Sequence, residues 1–222
     1  MAPEADDPHW PRETAAAVYH EIIAYLTTAR AIILHPARFG AEWSTGARRA
    51  LNPVAFQLNA LAVVGPWLVF WARLVDPNPP ATPLWWDIIK STLPTVGSAV
   101  GMSLCHVLVR LMGGARPLRS TLAMVFYISG GPLALLSLAS RPLSLLAVVH
   151  PNDLRLGLAS AAINLAMFVV LVWYQVVTLS ALHQISRLRA TIATLITWIA
   201  YGGLWAWLSF VRPELIHSLL DS

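Results

Sequence analysis

The stretch Leu156–Ser186, LGLASAAINLAMFVVLVWYQVVTLSALHQIS, contains no Asp, Glu, Lys or Arg. A transmembrane helix needs about 20 mostly apolar residues, because the hydrocarbon core of a bilayer is about 30 Å thick and a helix rises about 1.5 Å per residue. Four further stretches are equally free of charge and long enough to cross: Pro53–Ala72, Ser91–Val109, Ser120–Ser140 and Ala190–Val211. The sequence therefore predicts an all-α polytopic membrane protein with a five-helix transmembrane bundle.

Composition agrees with this class, since 57% of residues are hydrophobic and 12% are charged. The formal net charge of +4 would also suit nucleic-acid binding. The arginines, however, are scattered between apolar stretches, where such residues set orientation and contact anionic headgroups. We therefore expect membrane lipids as partners and no nucleic acid. Cys105 is the single cysteine, so the sequence predicts no disulfide and no cysteine-based metal site.

The N-terminal segment has a different pattern. Thr14–Leu34 places apolar side chains at helical spacing but also carries charges, which predicts an amphipathic helix on the membrane surface. Packing of this helix on the bundle is the alternative. His35-Pro36 ends the helix, because the residue before proline avoids helical conformations. The predicted parts are a disordered tail (1–13), the amphipathic helix and a basic linker (14–52), the transmembrane domain (53–211) and a short C-terminal tail (212–222).

Lys and Arg residues are distributed unequally between the two sides of the predicted membrane domain. Ten lie on the side of the N-terminus and five on the other, namely Arg73, Lys90, Arg141, Arg155 and Arg212. The positive-inside rule therefore predicts a cytoplasmic N-terminus and a C-terminus outside.

Small residues and proline interrupt two of the predicted spans. Gly130-Gly131-Pro132 is expected to break or kink the third span in mid-membrane. Gly97 and Gly101 form a small-xxx-small pair in the second span, which favours close helix packing within the bundle, with homodimerisation as the alternative.

Polar residues within the spans are candidates for function, because burying them in lipid is costly. They are Asn59, His106, Asn164 and Gln175. Interhelical hydrogen bonding is the simplest interpretation, and a polar path shared by Asn164 and Gln175 on one helix face is the alternative. His183 and Arg187 are four residues apart, which suggests a solvated helix end. No hydrolase, zinc-protease or nucleotide-binding motif is present, so we expect no enzyme, no catalytic residue, no metal and no cofactor.

Two regions resemble the Yip1 domain family of five-span membrane proteins: Val107–Leu136, VLVRLMGGARPLRSTLAMVFYISGGPLALL, and Trp173–Ala190, WYQVVTLSALHQISRLRA. The resemblance implies five spans with a cytoplasmic N-terminus. The Arg- and Ala-rich, Lys-poor composition favours a bacterial member in the inner membrane. The positions matching the family pattern are Arg110, Gly113, Gly114, Tyr127, Pro132, Trp173, His183 and Arg189.

Three functions follow as hypotheses. The first is a non-enzymatic Yip1-type protein that organises protein partners or lipids. The second is a small transporter or channel acting as a homo-oligomer, since broken helices often bind substrate in transporters. The third is an accessory subunit of a larger membrane complex. The sequence names no partner, so binding of another protein and self-association both stay open.

Overall fold

The computed structural model describes residues 10–47, 50–75 and 84–211, and these residues are almost entirely helical. The all-α prediction is confirmed for this part of the chain. Its helices are α1 (Trp10–Leu34), α2 (Pro36–Thr45), α3 (Pro53–Val75), α4 (Leu84–Leu111), α5 (Leu118–Ile128), a π-helical turn (Ser129–Leu133), α6 (Ala134–Val149), α7 (Leu154–His183) and α8 (Arg187–Val211).

Several of these helices are long and apolar enough to cross a membrane, as in an integral membrane protein. Within the described residues there are four such segments, and α4 adds the shorter apolar stretch Ala99–Leu111. The predicted count of five spans is therefore not confirmed. The four segments are Thr14–Leu34, Pro53–Trp71, Leu118–Val149 and Leu154–His183. The first of them lies in α1, which the sequence placed on the membrane surface.

Helix α1 packs along the bundle, as the alternative interpretation expected. One face of its C-terminal third is buried, through Thr28, Ala29, Ala31 and Ile32, and Ile32 has no exposed surface. The Thr28 hydroxyl accepts a hydrogen bond from the Leu51 N–H, and Glu21 accepts one from the Asn59 amide. The earlier residue of α1, Glu21, pairs with the later residue Asn59, and Thr28 pairs with Leu51. Helix α1 therefore runs antiparallel to α3. The helix starts at Trp10, inside the predicted tail, whereas 212–222 lies outside the described residues.

Part of the predicted basic linker is the helix α2. Pro36 opens it, because a proline in the first turn lacks only an N–H that has no helical partner there. Gly46 ends it with a φ of 73°, a left-handed conformation suited to glycine. Phe39 is fully buried, and a Cβ at Gly40 would lie 2.9 Å from the Thr178 carbonyl oxygen. Helix α2 therefore packs tightly against the last third of α7.

The Gly130-Gly131-Pro132 sequence does not end the third predicted span. The helix continues through a π-helical turn, in which Pro132 provides no N–H. The Tyr25 hydroxyl donates to the Gly130 carbonyl oxygen at 2.9 Å, and a Cβ at Gly130 would lie 2.9 Å from the Phe56 ring. A neighbouring helix thus satisfies a polar backbone group at the irregular turn, as a membrane interior requires.

One end of the bundle extends beyond the start of α3. The continuous helix Leu118–Val149 has 32 residues, which is about 48 Å and longer than the hydrocarbon core. The Tyr127 hydroxyl donates to the carbonyl oxygen of Leu51, just before α3 begins at Pro53. The first two turns of α5 therefore lie beyond the start of α3.

We call this region the arginine-bearing end. It consists of the end of α4, the α4–α5 turn, the start of α5, the end of α7 and the start of α8. Helix α2 covers one side of it. Its arginines are Arg110, Arg116, Arg119, Arg187 and Arg189.

Candidate functional site at the arginine-bearing end

The α4–α5 turn is built around two adjacent glycines. Gly113 has a φ of 96°, which side chains rarely permit. The Gly114 N–H donates to the Val109 carbonyl oxygen at 2.9 Å. A Cβ at Gly114 would lie 2.6 Å from the Val109 side chain and 3.0 Å from His183 Nδ1. The absence of a side chain at both positions therefore allows the turn to close over His183.

Three arginines surround this turn and hold it to neighbouring elements. Arg110 Nη1 donates to the Gly114 carbonyl oxygen at 3.0 Å, and Arg189 Nη1 donates to the Met112 carbonyl oxygen at 3.0 Å. Arg116 Nη2 reaches the Ser44 hydroxyl of α2 at 3.3 Å. A guanidinium has five N–H donors, so each of these single bonds leaves donors for a further acceptor.

Below the turn, one threonine hydroxyl connects two histidines from different helices. Thr121 Oγ1 of α5 lies 2.9 Å from His106 Nδ1 of α4 and 2.8 Å from His183 Nε2 of α7. The two imidazole centroids are 5.7 Å apart. Because the hydroxyl has one hydrogen, it donates to at most one of the rings, and at least one ring nitrogen must donate to it.

His183 differs from the sequence expectation. It was expected at a solvated helix end beside Arg187, but only 1% of its surface is exposed. Its Nδ1 has no hydrogen-bond partner among the described residues and faces the space left by Gly114. The histidine therefore belongs to the packing of three helices and not to a solvated surface.

The bridge lies beyond the start of α3. Thr121 precedes Tyr127 by six residues, a distance of about 9 Å along a helix axis. Tyr127 in turn lies level with Leu51, just before α3 enters its apolar stretch. The histidine bridge and the arginines around it therefore lie beyond the start of the apolar stretch of α3.

The structure brings five of the eight Yip1-pattern positions together with His106, and it separates the other three. The five are Arg110, Gly113, Gly114, His183 and Arg189. Tyr127 belongs to an aromatic core with Phe39 and Phe56, and Pro132 lies in the π turn. Trp173 is half exposed on the outer face of α7.

The remaining polar candidates do not converge. Gln175 is buried and accepts a hydrogen bond from Trp198 Nε1 of α8 at 2.7 Å. Asn164 is exposed, and its amide lies 3.4 Å from Ser160 Oγ one turn earlier in the same helix. Asn59 donates to Glu21. The polar path suggested for Asn164 and Gln175 therefore has no counterpart in this arrangement.

Sequence reasoning missed Thr121, Arg116 and Ser44. A lone Thr in an apolar stretch and a lone Ser in a linker carry no local pattern that marks them. Arg116 was counted for orientation but had no assigned contact. These roles depend on residues far away in sequence, as in the contact between Arg116 and Ser44.

A scan with protein-family models, a search of curated proteins and a search of solved structures each find no match for this chain. The resemblance to the Yip1 domain family therefore stays a prediction from the sequence.

Proposed function

We propose that this protein is a non-enzymatic integral membrane protein of the Yip1 type, of a bacterial inner membrane, that gathers anionic phospholipids around its arginine-bearing end. The observation that carries the proposal is the set of arginines beside the α4–α5 turn. The described partners of Arg110, Arg116 and Arg189 are carbonyl and hydroxyl oxygens, which leave the positive charges uncompensated by these contacts. Arginine binds phosphate through its planar fork of donors.

The position of these charges supports lipid as the ligand. The arginines lie beyond the start of α3, and the proposal puts this level at the phosphate groups of the bilayer. Arg119 and Arg187 are exposed and extend the same positive surface. Each basic residue near an anionic membrane surface contributes about 1 kcal/mol of attraction. The positive-inside rule predicts that this end lies in the cytoplasm.

The proposed topology differs from the sequence expectation at the N-terminus. Glu21 contacts Asn59, six residues into α3, so α1 follows α3 into the membrane instead of lying flat. We infer that α1 crosses the bilayer, which puts the N-terminus on the side opposite the arginine-bearing end. Glu21 is then an acid within the membrane, with Asn59 as its partner.

The transporter interpretation draws less support from the contacts. Its motivation was an interrupted helix at Gly130–Pro132, but the Phe56 ring and the Gln57 side chain occupy the space beside Gly130. Gly97 and Gly101 face Tyr201 and Thr197 of α8, which favours packing within the bundle over a dimer contact.

Native mass spectrometry of gently extracted protein tests the proposal. We expect retained anionic phospholipid, and loss of it when Arg119 and Arg187 are both changed to Gln. At about 1 kcal/mol per residue the affinity should fall roughly 30-fold. Arg155→Gln is the matched control, because Arg155 is exposed at the other end of α7. Equal retention of anionic and zwitterionic lipid by the unmodified protein, or a stoichiometric protein companion in place of lipid, would contradict the proposal.

A further inference from the structure

A small cavity lies between α4, α7 and α8. Its volume is about 20 Å³. Its walls include Gly101 and Cys105 of α4, Gln175 of α7, and Thr194 and Tyr201 of α8. To hold a water molecule, a cavity needs a volume of at least about 10–15 Å³, and the water needs two to four polar groups as hydrogen-bond partners. The cavity meets both conditions for one water.

One group in this cavity lacks the partner that a buried hydroxyl needs. Thr194 is 1% exposed, and its Oγ1 makes no hydrogen bond within the described part of the chain. The neighbouring Thr197 hydroxyl donates to the Ala193 carbonyl oxygen at 2.8 Å, one turn earlier in α8. The Cys105 thiol faces this hydroxyl but is only a weak hydrogen-bond partner. A buried hydroxyl without a strong partner costs about 1–3 kcal/mol, so the environment of Thr194 needs a physical explanation.

We propose that this cavity is a binding site for one water molecule, which hydrogen-bonds to Thr194 Oγ1 and to the Gln175 side chain. Gln175 already accepts from Trp198 Nε1, so the site connects α7 and α8 through polar groups. The thiol of Cys105 faces the hydroxyls of Thr194 and Thr197 from α4. The water thus joins α7 and α8, with Cys105 of α4 beside it, in a bundle interior where lipid offers no hydrogen bonds.

Cys105 is the only cysteine of the chain, so its S–H stretching band in the infrared reports on this site alone. Protein in lipid vesicles is transferred to D₂O, and conversion of the S–H band to S–D is followed in time. A bound water that exchanges with solvent makes this conversion fast.

Gly101→Ala tests the assignment sterically. An added Cβ would meet Thr197 Cγ2 at 3.7 Å and Tyr201 Cδ2 at 3.9 Å, which are ordinary contacts, so the methyl group fills the cavity without strain. Gly65→Ala in α3 is the matched control, because a Cβ there meets nothing within 4 Å. We expect S–D conversion to slow at least roughly tenfold in Gly101→Ala, because exchange then needs local opening. An unchanged rate in Gly101→Ala, or no conversion in the unmodified protein, would overturn the proposal.

Thr194→Val gives an independent readout, because valine has nearly the same shape. If water occupies the cavity, the substitution removes a hydrogen bond and lowers the thermal midpoint of unfolding. If the cavity is dry, the substitution removes a hydroxyl that faces only the weakly bonding Cys105 thiol, and the midpoint rises. A raised midpoint would therefore contradict water binding even if the exchange rates agreed with it.

Discussion

Thr121 is the residue of the candidate site whose side chain links two other helices through hydrogen bonds. Its hydroxyl lies within hydrogen-bond distance of two imidazole nitrogens from two other helices. Removing it leaves both nitrogens without this partner, and His183 is almost completely buried. Buried polar groups that lose a partner cost more than the bond itself contributes.

We predict that Thr121→Val lowers the free energy of unfolding by about 2 kcal/mol, because it leaves two ring nitrogens unpaired. Thr121→Ser keeps the hydroxyl and should cost well under half as much. Thermal unfolding in detergent, monitored by circular dichroism, measures both. A larger loss in Thr121→Ser than in Thr121→Val would mean that the methyl group of Thr121, and not the bridge, matters for stability.

Ile32 provides a second prediction at the scale of one residue. It is fully buried, whereas Ile22 on the same helix is 49% exposed. Ile32→Ala should therefore lower the free energy of unfolding by about 2–5 kcal/mol, through lost contacts and a cavity. Ile22→Ala is the control and should have little effect on the unfolding midpoint. Similar midpoints for the two variants would show that α1 is not packed on the bundle.

The packing of the π turn between α5 and α6 requires a glycine at position 130. It places Gly130 against Phe56 and exposes the Gly130 carbonyl oxygen to the Tyr25 hydroxyl. The turn lets one long helix continue through a Gly-Gly-Pro sequence that would otherwise leave backbone groups unpaired in lipid. It also brings α1, α3 and α5 together at one level.

We expect Gly130→Ala to destabilise the bundle by about 1–3 kcal/mol, because its Cβ overlaps the Phe56 ring. Gly157→Ala in α7 has open space around it and should be neutral or stabilising, since alanine favours helix more than glycine does. Unfolding midpoints of both variants in the same detergent make the comparison. Gly130→Ala as stable as Gly157→Ala would show that Phe56 can move aside.

For the whole molecule, orientation is the property on which the proposed function depends. The proposed function requires the arginine-bearing end to face the cytoplasm, as the positive-inside rule predicts and as attraction to anionic lipid favours. The α6–α7 turn at Asn152 then faces the outside. Because α1 runs alongside α3, its start at the level of Ala15 should also face outside.

Single cysteines in a Cys105→Ala background test this orientation. In intact cells, an impermeant maleimide should label Asn152→Cys and Ala15→Cys, while Ser186→Cys should react only after permeabilisation. All three positions are exposed in the structure. Labelling of Ser186→Cys in intact cells would reverse the orientation. If only Ala15→Cys were protected from the maleimide in intact cells, α1 would lie on the cytoplasmic surface, as the sequence predicted.

The sequence by itself determined the class of this protein. Lipid is the solvent for most of the chain, so long uncharged stretches and the bias of arginine to one side are visible without any knowledge of contacts. The helix end at His35-Pro36 was equally predictable, because it depends on one local steric rule. The residues marked by the Yip1 resemblance also include most of the candidate site.

Only the tertiary structure decided which of these residues meet. The sequence could not place Thr121 between His106 and His183, because that bridge joins three helices. It also missed the helix α2, whose Phe39 gains its burial from contacts with distant parts of the chain. The surface location expected for Thr14–Leu34 is not confirmed, for the same reason. Glu21 has a partner on α3 and Thr28 has one just before it, and no periodicity within α1 reveals either contact.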